Sequence, residues 1–416
     1  MRFPVSSSSL ALSVRGRNRS SLSISGSVFV RLFLLAMFAL ASLASVQAQT
    51  ETILHSFEGT TDGEFPTSGL AGDGQGNFYG GASGDTNFGT GAGTVFKIDS
   101  AEAFSVVHTF APVYTGSSLD VSGLTLDSEG NLYGTAYNAS PDALLTFQIT
   151  SAGAFNILAP TGPLGPSNGV QIPGVVLDAQ DNAYVAAYGT KCRDAEKVTC
   201  TIVKITPGGK VSTVHKFAGS GNLILSDMPG LTIDGQGNLY STVVAGNEFE
   251  SQYSIYKTTP TGRTTVLYSF VDTTNGIRVG ALTVDARGNI YGMAPENSPS
   301  SQGIIFSLTP AGKLTTLFRF NGTNGSLIDS EGAPGALLLD GAGNLWGATP
   351  TGGSHGQGTV FELSPGGVLT TLYNFGDSAN DGNIPNGVIQ DNSGNLFGTT
   401  YAGGAHNRGT VFKITR

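Results

Sequence analysis

Five histidines, two cysteines and a recurring set of aspartates are the residues best able to do chemistry in this chain. His355 and His406 lie in two nearly identical stretches, GGSHGQGTVF and GGAHNRGTVF. Two imidazoles on like loops suit a shared ligand or metal. The same pattern equally describes two solvated copies of one loop sequence, and both readings stay open. His55, His108 and His215 fall where related stretches hold Tyr268, Phe318 and Tyr373, so packing accounts for them. Asp62 and Asp381 are each followed by Gly and then by Pro. They are expected to shape loops and, with His355 and His406, are the candidate ligand-binding residues. Seven further aspartates, Asp73, Asp127, Asp178, Asp234, Asp285, Asp340 and Asp391, each precede a short turn. A ring of carboxylates could hold cations, but Asp also caps tight turns through its own backbone, and that is the expectation here. No nucleophile motif, metal-spaced His/Cys set or phosphate loop is present, so no catalytic residue, metal or cofactor is expected.

Cys192 and Cys200 stand eight residues apart in a long insertion. In an exported chain such a pair reads as a disulfide pinning a loop. Closing so short a ring contributes about 2.5 kcal/mol in the chain-entropy account.

The elements that must carry these residues are repeats. Gly123 to Thr135, GLTLDSEGNLYGT, alternates apolar and polar residues, breaks at Asp127–Asn131, then starts a second strand. Aligning on its Asn gives Asn77, Asn131, Asn182, Asn238, Asn289, Asn344 and Asn395, at intervals of 54, 51, 56, 51, 55 and 51 residues. A period near 50 is that of a propeller blade. Four strand types recur. Strand A is GLTLD-like, strand B is GNLYGT-like, strand C is GTVFKI-like, and strand D is like TTLYNF at Thr370–Phe375.

The order of the types is informative. The chain has a lone D strand at Thr52–Phe57 and finishes with A, B and C of the seventh copy. A four-stranded seventh sheet exists only if the first strand joins the last three. The expected fold is therefore all-β: a seven-bladed β-propeller of four antiparallel strands per blade, closed by the N-terminal strand. The A–B and C–D turns are short and alike. The D–A and B–C loops on the opposite face are long and individual, and loops of that kind usually carry binding.

Composition fits. The 60 glycines among 416 residues are roughly twice ordinary usage, and charged residues, at 12%, about half. Residues 1–48 read as a secretory signal: Arg15, Arg17, Arg19 and Arg31, then the apolar run Leu32–Leu43, then Val46-Gln47-Ala48. The propeller domain is then 49–416. Cleavage takes away five Arg and no acid, lowering the net charge from −9 to −14. An acidic surface argues against nucleic acid and anionic membranes. A monomer binding an extracellular polymer, glycan or protein is expected.

The repeat resembles the GloVer (Gloeo/Verruco-type) tandem repeats of secreted bacterial proteins. The resemblance rests on Gly394–Gly404 (GNLFGTTYAGG), Gly409–Ile414 (GTVFKI), Thr370–Phe375, and Asp381-Gly382 with Pro385. It spans roughly 51–416, strong in blades 1, 6 and 7 and weak in blade 3, where Asp181-Asn182-Ala183-Tyr184 replaces GNLY. It implies an extracytoplasmic repeat protein with no set activity. Such proteins often carry a C-terminal sorting anchor. None follows Arg416, so a free secreted or periplasmic form is expected. More distantly, the A–B hairpin is similar to NHL-type propellers, which include lactonases and lyases, and this supplies the alternative of an enzyme. Such enzymes line the channel mouth with acids, Asn and His. Here Ser68, Ser122, Pro173, Pro229, Val279, Pro334 and Asn386 precede the strand-A glycines, and none is ionisable. Binding is thus the favoured reading.

Overall fold

The computed structural model describes residues 49–59, 61–84, 92–110, 119–139, 142–163, 174–188, 199–218, 224–227, 230–246, 251–271, 279–294, 301–327 and 335–416. The described residues form thirty β-strands and no helix, in seven antiparallel sheets arranged as a seven-bladed propeller. Blades 1 to 6 span 64–109, 119–163, 176–218, 224–271, 283–319 and 338–374. Blade 7 combines 382–415 with Thr50–Ser56.

The closing pair behaves like the pairs inside the other blades. Thr50–Ser56 runs antiparallel to Thr410–Thr415, from Thr50 opposite Thr415 to Ser56 opposite Thr410, with a bulge between Ile53 and His55. Each of the other six C–D pairs bears a register break at the corresponding place. The N-terminal strand has therefore taken a standard D position, and pairing it to strand C leaves no open sheet edge between the chain ends.

The core lies between sheets. Phe57, Phe78, Phe96, Phe397 and Val411 pack where blade 7 meets blade 1. Trp346, Val360, Leu396 and Phe412 pack where blade 6 meets blade 7. Strand C, third from the axis, is covered on both faces, so Val95, Phe96 and Ile98 are all fully buried. This explains why GTVFKI is nearly continuous in apolar residues rather than alternating.

Strand A is shorter than the repeat suggests. It is two residues long in blades 3, 5 and 6 (Val176–Leu177, Thr283–Val284, Leu338–Leu339) and split in blades 1 and 4. The innermost strands crowd one another at their glycines. A Cβ on Gly123 would lie 2.0 Å from Gly174 Cα, and one on Gly335 would lie 1.7 Å from Asn386 O. Backbone this close to a neighbouring blade interrupts the ladder, and only glycine fits.

Candidate functional site

The seven aspartates that end strand A are turn caps. Asp340 is typical: Oδ1 accepts Ala342 N–H (2.9 Å) and Asn344 N–H (2.8 Å), and Oδ2 accepts Asn344 Nδ2 (2.7 Å) and Trp346 Nε1 (3.2 Å). Asp73, Asp127, Asp178, Asp234, Asp285 and Asp391 accept the same two backbone donors and the same Asn amide. Burial pushes the Asp340 carboxyl up, but these hydrogen bonds outweigh it and hold the group below its ordinary range.

On the long-loop face, the candidate residues sit in the loops of blades 6 and 7 and the D–A loop that enters blade 1. The loops bearing His355 and His406 share one frame. Gly358 N–H donates to Gly352 O, and Gly409 N–H to Gly403 O, both at 3.0 Å. Gly352, Gly353, Gly356 and Gly358 in one loop, and Gly403, Gly404 and Gly409 in the other, have positive φ, which glycine adopts without strain. Both histidines are exposed at the loop tips. His355 Nε2 lies 3.7 Å from Asp377 Oδ1. No group of three or more His, Cys, Asp or Glu able to hold a metal occurs among the described residues.

Asp62 and Asp381 are buried inside their D–A loops. Asp62 accepts Glu58 N–H (3.0 Å), Gly59 N–H (3.1 Å) and His55 Nε2 (2.9 Å). Asp381 Oδ2 accepts Gly376 N–H (2.7 Å), Asp377 N–H (3.1 Å) and Tyr373 OH (3.0 Å). Both carboxylates therefore tie a loop to the preceding strand D. His55 also stacks on Phe104 at 3.5 Å, His108 stacks on Phe155 at 4.2 Å, and His215 meets Phe217 edge-on at 4.6 Å. These contacts are the packing role the repeat alignment suggests. Cys192 lies outside the described residues, so the Cys192–Cys200 disulfide does too. Cys200 is placed only by its backbone, opposite Tyr188 and Phe217.

Among the residues before the strand-A glycines, Val279 is fully buried, and Ser68 O accepts Thr399 Oγ1 at 2.8 Å. Asn386 Nδ2 donates to Pro66 O (2.8 Å) and Thr399 Oγ1 (3.0 Å). These groups stitch blades together. Pro173, Pro229 and Pro334 lie outside the described residues.

Three consecutive seams share a backbone hydrogen bond that sequence reading did not single out. At each, a D–A residue donates its N–H to a B–C carbonyl: Leu327 to Gln302 (2.8 Å), Ile384 to Gln357 (3.2 Å) and Phe65 to Arg408 (2.8 Å). The residue before each donor is Ser326, Asn383 or Glu64, and at the first and third seams its side chain pairs with that B–C residue, whereas Asn383 Oδ1 is buried without a hydrogen-bond partner. Ser326 Oγ donates to Gln302 Oε1 at 2.8 Å, and the Arg408 guanidinium is ion-paired with Glu64. Comparing the three repeats position by position would have exposed this series, because Arg408 replaces Gln at an otherwise constant place.

Comparison with known proteins places the chain by family and by fold. The Gloeobacter/Verrucomicrobia repeat matches residues 142–333 and 328–416. The match begins in blade 2 and includes blade 3, whereas the repeat tokens gave blade 1 as strong and blade 3 as weak. No curated protein matches. A solved structure of a puromycin hydrolase mutant is similar at 13% identity and TM-score 0.52, over 83% of this chain and 52% of that one. This chain thus spans about half of that protein, and the likeness shows the fold alone. A polysaccharide lyase, Uly1, is similar at 10% identity and TM-score 0.49, over 90% of this chain and 94% of that one. A gluconolactonase from Xanthomonas campestris is similar at 15% identity and TM-score 0.41, over 72% and 89%. With two repeat matches that together cover more than half of its length, the chain belongs to the Gloeobacter/Verrucomicrobia repeat family.

Proposed function

We propose that this protein is exported and binds a partner, an extracellular polymer, glycan or protein, through its long-loop face. One observation carries the reading: the loops of blades 6 and 7 present His355 and His406, both exposed, on the same glycine frame. Exposed loops held on a propeller scaffold are suited to recognition. The carboxylates of the seven aspartates that end strand A, and those of Asp62 and Asp381, serve loop or turn geometry. This favours binding over acid–base catalysis, which needs a group held toward substrate.

A screen of glycans, peptides and small molecules tests the reading. The His355→Ala, His406→Ala double variant is expected to fold normally and to bind the hit at least tenfold more weakly. Turnover of a lactone or polysaccharide that this variant abolishes would replace binding with the enzyme alternative. Export predicts a secreted species whose intact mass begins at Gln49. Secreted material that retains residues 1–48 would overturn that part.

A further inference from the structure

Three apolar residues occupy one hydrogen-bonded position at successive seams, and they do not point the same way. Leu327, at the blade 5–6 seam, is buried and packs with Met293, Ile305, Phe320 and Leu337. Phe65 and Ile384, in the next two repeats of that position, have φ of 47° and 56°. Neither joins a core cluster, and both are only half-buried. A left-handed φ is unfavourable for any residue with a Cβ and is a real outlier for a β-branched one. Each of the two also precedes a proline, Pro66 or Pro385, which narrows its conformations further. The chain thus holds two apolar side chains out of the core by straining its backbone, where Leu327 shows that the same loop can bury one. Strain of this kind clusters at functional sites and motivates a functional reading here.

At the blade 7–1 seam the outward side chain has a partner. Phe65 stacks on Tyr401, ring centroids 5.1 Å apart at 25°, and Tyr401 is also half-buried. Tyr401 leads directly into the loop that carries His406, Asn407 and Arg408, so two aromatic rings adjoin a rim of polar side chains. Phe65 N–H is fixed to Arg408 O, and Arg408 to Glu64 across the seam, which makes the platform rigid.

We infer that Phe65 and Tyr401 form a stacking platform for a neutral sugar ring, with the His406–Arg408 loop meeting its hydroxyls. A pyranose has a flat C–H face that suits an aromatic surface and an equatorial edge of hydroxyls that suits the rim. The acidic net charge, −9 for the whole chain and −14 without residues 1–48, disfavours polyanionic polymers, and the rings with their polar rim match the C–H face and hydroxyl edge of an uncharged sugar. This inference rests on the proposed binding reading and names its ligand class.

The test uses the purified protein with cellohexaose, xylohexaose and laminarihexaose, followed by calorimetry. At least one should bind. Phe65→Gly should bind it at least tenfold more weakly while melting at an unchanged or higher temperature, because glycine adopts the left-handed conformation freely. Phe65→Tyr, which keeps the ring, should restore affinity, and Tyr401→Ala should lose it. If Phe65→Gly binds like the wild type while the His355, His406 double variant does not, the platform is wrong and the loop-face reading survives. If aromatic peptides bind at Phe65 and no oligosaccharide does, the sugar class is wrong. If nothing binds in either screen, both fall.

Discussion

Arg408 in the B–C loop of blade 7 forms an ion pair with Glu64 in the D–A loop entering blade 1, joining residues 344 apart in sequence across the seam that closes the ring. The Glu64 side chain is 1% exposed and that of Arg408 is 24% exposed. Neutral residues, Asn383 and Gln357, take these positions at the preceding seam, so the seam's backbone hydrogen bond does not require the ion pair. Arg408→Ala removes the guanidinium from a buried carboxylate and is expected to destabilise by roughly 3 kcal/mol. The Glu64→Asn, Arg408→Gln double variant, which copies the neighbouring seam, should recover most of that loss. Denaturant melts of the wild type and the two variants measure this, and a double variant no better than Arg408→Ala would contradict it.

Glu51 gives the ring a pH dependence. It faces Ile414 across the closing strand pair, the place that Phe104, Phe155, Val211, Leu314 and Leu369 take in their own blades. Burial, and then the charge of Asp381, raise its carboxyl from 4.5 to about 7. Tyr373 is pushed up as well, by burial first and then by Glu51 and Asp381. Glu51 Oε1 and Asp381 Oδ1 are both buried without a hydrogen-bond partner. Lys413, on the adjacent strand, faces the other seam, over the Phe397 ring and against Glu102. The folded chain thus keeps a proton that the unfolded chain has released. Its stabilising effect is complete below pH 4.5 and is lost as the pH rises through about 7. The loss is on the order of 2 kcal/mol after allowance for partial solvent contact. Glu51→Leu should flatten the dependence of melting temperature on pH over that window and raise it at pH 8. An equal slope in the variant would rule Glu51 out as its source.

The glycines of strand A are unequal, and substitution should show it. Gly123 has φ 61°, and a Cβ there would lie 2.0 Å from Gly174 Cα, whereas one on Gly69 meets nothing within 4 Å. Gly123→Ala is expected to cost about 3 kcal/mol from left-handed strain and overpacking. Gly69→Ala should stay within about 0.5 kcal/mol of the wild type. Thermal melts that rank the two alike would contradict crowding at the axis.

Closure can be tested by deletion. Removing Thr52–Phe57 takes away most of the strand paired to Thr410–Thr415 and leaves that strand as an open edge. It also removes Phe57, fully buried between blades 7 and 1. A lower melting temperature and aggregation on gel filtration are expected. A deletion variant as monodisperse and as stable as the wild type would mean the ring does not depend on its N-terminal strand.

What the sequence determined by itself is whatever repeats or acts locally. The Asp–Asn turn forms within five residues, from Asp127 to Asn131 for example, so it is legible seven times over. Blade number follows from the spacing, and closure follows from a lone D strand at one end and a missing one at the other. The aromatic role of His55 and His108 was also readable, because each occupies a slot that other repeats fill with Tyr or Phe.

Contacts between blades needed the tertiary structure. The Glu64–Arg408 pair, the influence of the Asp381 charge on Glu51, and the Phe65–Tyr401 stack each join residues more than 300 positions apart. They depend on which faces two neighbouring sheets turn toward each other, a choice that hydrophobic periodicity inside one strand leaves open. Phe65 shows this most sharply. Sequence marks it as apolar and nothing more. Its left-handed φ accompanies a ring outside the core, while Leu327, with the same seam hydrogen bond but no positive φ, goes in.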